Sequence, residues 1–110
     1  MTQLQAIPEI TRRLVEFYHP ERIYLFGSFA RGENGPDSDL DFCVVLPDDA
    51  PREFYRLGVH RALWDVGTAA DVVRFPASDF ETRAANVKAS LPATIVREGK
   101  VLYDARRVAA

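Results

Sequence analysis

Asp39 and Asp41 stand two residues apart in the run SDLDFCVV. Side chains alternate faces along a strand, so both carboxylates point to the same side. Asp71 opens another apolar run, DVVRF, and a strand there laid beside the first brings a third carboxylate to the same sheet edge. Two unit charges ~4 Å apart at an effective dielectric of about 20 repel by roughly 4 kcal/mol, so such a trio needs a reason to stay together. A hard divalent cation supplies one. Mg²⁺ takes oxygen ligands, keeps several waters and is completed by substrate phosphates. Two such ions about 4 Å apart can activate an attacking oxygen and stabilise a departing one in phosphoryl or nucleotidyl transfer.

Phe26-Gly27-Ser28, at the end of an earlier apolar run, carries the anion-binding half of that chemistry. Gly27 lets phosphate oxygens approach the backbone, amides at the start of a short helix expected to begin with residues 29–31 form an anion site, and Ser28 adds a hydroxyl donor. Arg31 is near enough to lend its charge to phosphate, or else pairs with an Asp or Glu. Together these residues make a nucleoside triphosphate site the expectation. Plainer readings exist for each piece. Gly27 to Gly32 has the spacing of a P-loop, but Glu33 stands where Lys is required. Asp37-Ser38-Asp39-Leu40-Asp41 begins like a calcium loop, but Phe42 replaces the obligatory Gly. Turn and capping duty would account for Asp39, Asp41 or Asp71 taken singly, so the specificity lies in their combination with Gly27-Ser28. Cys43 has no partnered base and reads as core, and Trp64 as core or partner interface. His19 before a proline and His60 within a helix are not in ligand pairings.

The elements that must position these residues follow from periodicity. Ile7, Ile10, Leu14 and Phe17 recur at three- and four-residue steps, predicting a helix over 4–18 with Pro8 in its first turn and Pro20 as its stop. Residues 23–26 predict a short buried strand ended by Gly27, and 32–38 an exposed loop. Leu40–Leu46 follows as a strand with Leu40, Phe42, Val44 and Leu46 in its core-facing row, stopped by Pro47. Tyr55, Val59, Ala62, Leu63 and Val66 predict a helix closed by Gly67, and AADVVRF a strand broken by Pro76. Phe80, Ala84, Val87, Leu91 and Ile95 have helical spacing that Pro92 should split in two, with Gly99 as the final stop. Residues 101–103 predict a last, edge strand and 105–110 a frayed tail. The order α, β, turn, β, α, β, α, α, β describes an α/β (α+β) fold, a small mixed sheet against helices.

Composition narrows the field of partners. A chain of 110 residues is expected to form one domain over 1–110. Apolar residues make up 47% and charged residues 27%, which is globular rather than disordered composition. Fourteen Lys and Arg against sixteen Asp and Glu leave a charge of -2, so no global field holds nucleic acid and any phosphate chemistry is local. The lone Cys43 cannot form an intrachain disulfide and the first residues lack an apolar leader core, which sets the expectation of a cytoplasmic protein. No run nears the roughly 18 apolar residues of a membrane span.

GSFARG, then SDLDFCVV, then the isolated DVV, resembles the polymerase-β type of nucleotidyltransferase, in its minimal single-domain form. The family pattern is an apolar residue, Gly-Ser, a gap, Asp-x-Asp in a strand and a third acid on a later strand. Here these fall on Phe26, Gly27-Ser28, residues 29–38, Asp39-Leu40-Asp41 and Asp71, and the ending IVREGKVLYD also resembles minimal members. The resemblance implies ATP and Mg²⁺, two ions, as ligands, with transfer of a nucleoside monophosphate to an acceptor. It implies that Gly27 and Ser28 bind the triphosphate, with Arg31 beside them. Asp39, Asp41 and Asp71 are then the metal-binding and catalytic acids, Asp71 assisting the acceptor hydroxyl. It further implies an antitoxin role toward a HEPN-domain ribonuclease, inactivated by addition of AMP, in a hetero-oligomer. Phe29 departs from the polar or basic residue many members carry there. So small a catalytic domain has no accessory part to recognise an acceptor, so another chain is expected to present it. The competing readings are a non-catalytic module that neutralises its partner by contact, and a small-molecule modifier such as an aminoglycoside nucleotidyltransferase, which needs more domain mass.

Overall fold

The computed structural model describes residues 2–35, 38–56, 63 and 66–108. Its first helix, α1 (Gln3–Tyr18), begins with a reciprocal cap: the Gln5 amide donates to the Thr2 hydroxyl at 3.1 Å, and the Thr2 amide donates to the Gln5 side chain at 3.0 Å. Ala6, Ile7, Ile10, Leu14 and Tyr18 are its buried stripe. Pro8 lies inside this helix rather than in its first turn. It sits on the exposed side, where water can serve the Leu4 carbonyl that loses its helical donor. His19, in the left-handed region at φ 49°, closes the helix just before Pro20.

Strand β1 (Arg22–Phe26) lies inside a four-stranded sheet with β2 (Leu40–Leu46), β3 (Ala70–Pro76) and β4 (Lys100–Asp104), in the order β3-β2-β1-β4. It runs antiparallel to both β2 and β4, whereas β2 and β3 are parallel. The parallel pair requires a crossover, and residues 47–69 make it, including the helical turn α2 (Glu53–Arg56). Much of the helix expected over 55–66, with Val59, His60, Ala62 and Trp64, lies outside the described residues. Leu63 is helical, Val66 is buried and Gly67 has φ 75°, as at a helix end.

Beyond the expected row, the opposite row of β2 is buried as well from Cys43 onward. Leu40, Phe42, Val44 and Leu46 pack with α1, Val66 and the half-buried Phe54 of α2. Cys43 and Val45 pack on the other face with Tyr24, Phe80 and Ile95. Phe80 belongs to α3 (Ala77–Asn86) and Ile95 to α4 (Leu91–Glu98), so helices cover the sheet on two sides. The predicted split between these helices comes earlier than Pro92. Helix α3 ends at Asn86, Val87 is 50% exposed outside it, and the Ser90 hydroxyl caps α4, with Pro92 harmless in the first turn. Of the tail expected to fray, residues 109–110 lie outside the described residues. Ala105–Val108 forms a last helical turn, α5, and the Ala105 amide donates to the Glu21 carbonyl at 2.9 Å.

Candidate functional site

Strand direction gathers the expected site residues. Because β1 opposes its two neighbours and β3 follows β2, the end of β1 and the starts of β2, β3 and β4 lie at one end of the sheet. Gly27 and Ser28 leave β1 there, Asp39 and Asp41 enter β2, and Asp71 enters β3. The register pairs Asp41 with Asp71, and in-register residues of a parallel pair share a face on strands about 4.8 Å apart. That face is the one carrying Cys43 and Val45 further along β2.

Asp41 is half-buried, whereas Asp39 and Asp71 are exposed. Burial pushes the Asp41 carboxyl above the ordinary aspartate range, the charges of Asp71 and then Asp39 push it further, and Arg31 pulls it partly back. Asp41 therefore senses both of the other acids. Among the described residues no three His, Cys, Asp or Glu side chains close into a metal-ligand cluster, so the trio is an open set of oxygen donors. Its chemistry fits a hard divalent cation that takes its remaining ligands from water and phosphate. The donors are all carboxylates, and Arg31 offsets only part of the burial and like-charge penalty on Asp41.

Gly27 is required on two counts. Its φ of 79° is a left-handed conformation, and a Cβ built there would overlap the carboxylate of Asp41. The acid thus lies directly against the backbone of the Gly-Ser turn. Residues 28–32 are hydrogen-bonded turns instead of the expected short helix: the Arg31 amide donates to Gly27 at 3.2 Å, Gly32 to Phe29 at 3.1 Å and Glu33 to Ser28 at 2.9 Å. Among the described residues the amides of Ser28, Phe29 and Ala30 donate to no backbone carbonyl. Phe29 packs against the core on the α1 side of the sheet, so that position offers no polar contact. Arg31 pairs with Glu33, Nε to Oε2 at 2.8 Å.

Two supports were not visible as site residues in the sequence. Gln3 donates through Nε2 to the Ser38 carbonyl, tying the segment before Asp39 to α1. No local pattern connects residues 35 positions apart. Ser38 in turn accepts from the Gly35 amide at 2.9 Å, a short-range loop contact of the kind Ser makes in turns. His19 ends α1 away from the acids, and His60 and Trp64 lie outside the described residues. A largely apolar groove between α1 and β4, lined by Ile7, Val15, Leu102 and Tyr103 with Arg12 and Glu16 at its side, includes none of Asp39, Asp41 and Asp71.

A family model described as nucleotidyltransferase domain matches residues 5–102. No curated protein matches. Among solved structures, a toxin-antitoxin with AMP-PNP aligns with a TM-score of 0.61 at 20% identity, over 92% of this chain and 76% of that one. The toxin-antitoxin MntA-HepT aligns at 0.53 and 19% identity, over 93% and 74%. A candidate nucleotidyltransferase from Sulfolobus solfataricus aligns at 0.51 and 19% identity, over 94% and 82%. At these identities the likeness is one of fold, the polymerase-β-like nucleotidyltransferase fold.

Proposed function

The chain belongs to the nucleotidyltransferase domain family, and on that premise we propose that it transfers AMP from ATP to a hydroxyl of a partner protein, with Mg²⁺ held by Asp39, Asp41 and Asp71. The partner is a toxin of the HEPN type, and the protein acts as its antitoxin in the cytoplasm. This extends to the chain what its structural neighbours are, a toxin-antitoxin with AMP-PNP and MntA-HepT. One observation carries the catalytic part: Asp41 stands in register with Asp71 while its carboxylate lies against Gly27.

In this reading the Gly27-Ser28 turn receives the triphosphate on free backbone amides and the Ser28 hydroxyl, and Arg31 adds positive charge. Asp39 and Asp41 would hold the cation beside the turn, on the side where the α-phosphate lies. Asp71, at the start of the edge strand β3, is the acid beside the entering acceptor and takes the proton of its hydroxyl. The acceptor oxygen forms its bond to the α-phosphorus as the bond to pyrophosphate breaks. Bound Mg²⁺ would supply charge neutralisation for the triphosphate and for the oxygens entering and leaving phosphorus.

Intact-mass measurement of the HEPN-type partner incubated with this protein, ATP and Mg²⁺ tests the reading. It predicts the added mass of one or more AMP groups, lost with Asp39→Ala or Asp41→Ala. Inhibition of an unmodified partner by the wild type would instead make the protein a binding module.

A further inference from the structure

Glu33 has a place in the turn beside Arg31 that the catalytic reading leaves unused. The Arg31 amide donates to Gly27 and the Glu33 amide to Ser28, so both backbones are tied to the two residues of the phosphate turn. Above them Arg31 Nε meets Glu33 Oε2 at 2.8 Å, with the arginine side chain 41% and the glutamate 64% exposed. So exposed a pair adds little to stability. A guanidinium is a planar fork of five donors, and Glu33 occupies only Nε, leaving those on the two Nη atoms without a partner among the described residues. The amide of Arg31 is bonded to Gly27, against which the Asp41 carboxylate lies, so Arg31 stands at the acid end of the sheet.

We propose that Glu33 is a positioning residue: it grips Arg31 by Nε and so presents the Nη edge to the β- and γ-phosphates of a nucleoside triphosphate. The inference deepens the proposed nucleotide site and rests on it. It also predicts a sign opposite to that of simple electrostatics. Glu33 is an exposed negative charge beside the place of a polyanion, so by Coulomb's law alone its removal tightens ATP binding. Positioning predicts that its removal weakens it.

Calorimetric titration of the full chain with ATP and with AMP, each with Mg²⁺, separates these. Glu33→Ala is expected to lose about tenfold in ATP affinity, the scale of one charge-assisted hydrogen bond, while AMP affinity stays within about twofold. Glu33→Gln, whose side-chain oxygen still accepts from Nε, keeps ATP affinity within about threefold of wild type. Arg31→Ala shows the same ATP-selective loss, and adding Glu33→Ala to it costs nothing more, because the two act through one contact. Should Glu33→Ala fail to fold, Arg31→Lys, which keeps the charge but not the fork, is expected to show the same selective loss. Unchanged or tighter ATP binding by Glu33→Ala, or equal losses for ATP and AMP, overturns the proposal. A wild type that binds no ATP overturns the nucleotide reading itself, an outcome distinct from either.

Discussion

Asp41→Asn should make the metal-free protein more stable while removing its activity. In the folded chain the Asp41 carboxylate is partly desolvated and stands in register with Asp71, with Asp39 two residues before it. Neighbouring strands put the two charges about 5 Å apart. Their repulsion then lies between roughly 1 kcal/mol in water and roughly 3 kcal/mol at a protein-surface dielectric. Asp71 is exposed, so the lower figure applies. Asparagine keeps the shape against Gly27 and removes the charge, so a gain of about 1 kcal/mol is expected, or about 4 °C in Tm for a domain of this size. Because folding raises the carboxyl above its unfolded value, the cost is fully present above the folded value. It vanishes as pH falls below the unfolded one, so the gain should fade in acid. Calorimetric melting at neutral pH with a chelator measures it. Added Mg²⁺ should reverse the ranking, raising the wild-type Tm by about 1.4 kcal/mol of stabilisation at ten times its Kd and leaving Asp41→Asn behind. A variant that melts lower than wild type with chelator present, or that gains equally from Mg²⁺, would refute the idea that these acids repel around a cation site.

Gly27→Ala must place a side chain at φ 79° and into the Asp41 carboxylate, so a loss of at least about 1–2 kcal/mol by urea denaturation and loss of transfer activity are expected. Protons should compete with the cation at Asp41, whose carboxyl is raised. Mg²⁺ affinity by calorimetry should therefore decline as the buffer is made mildly acidic, sooner than an ordinary aspartate would require. Burial pushes the Cys43 thiol up to about 12, so it should resist a thiol reagent at neutral pH and react once the chain is unfolded, which a spectrophotometric thiol assay reads directly. Phe80→Ala empties the space beneath Tyr24 and Phe75, ring centroids 5.5 and 5.9 Å away. It should cost about 3–5 kcal/mol in denaturant unfolding.

Local signals were legible where one residue decides the outcome. Strand β2 begins and ends where its alternation and Pro47 predicted, and Gly67 takes the left-handed conformation expected of a helix stop. The convergence of Asp71 with Asp41 was legible only as a condition, that β3 lie beside β2, because strand order is set by long-range packing and not by spacing. Cys43 is buried as its isolation from any base suggested, whereas burial of Val45 beside it was missed for a related reason: both are covered by α3 and α4, elements contributed far along the chain. Val87 and Leu91 fit a helical stripe yet are exposed, since Ser90 offers a better cap than a continued helix and starts the chain afresh. Residues 29–31 make one bond of helical span, the Arg31 amide to Gly27, but Gly32 then donates three residues back and Glu33 five back, so the turn closes without propagating as a helix. Gln3 was invisible as a support, since its contact with Ser38 exists only after α1 has packed beside the loop.

A crystal grown with Mn²⁺ in place of Mg²⁺ and a non-hydrolysable ATP analogue tests the account most directly. Anomalous signal from manganese should lie against Asp39 and Asp41, with the triphosphate on the amides following Gly27 and Asp71 facing the α-phosphate. Manganese bound elsewhere, or a nucleotide seated away from the Gly-Ser turn, would contradict it.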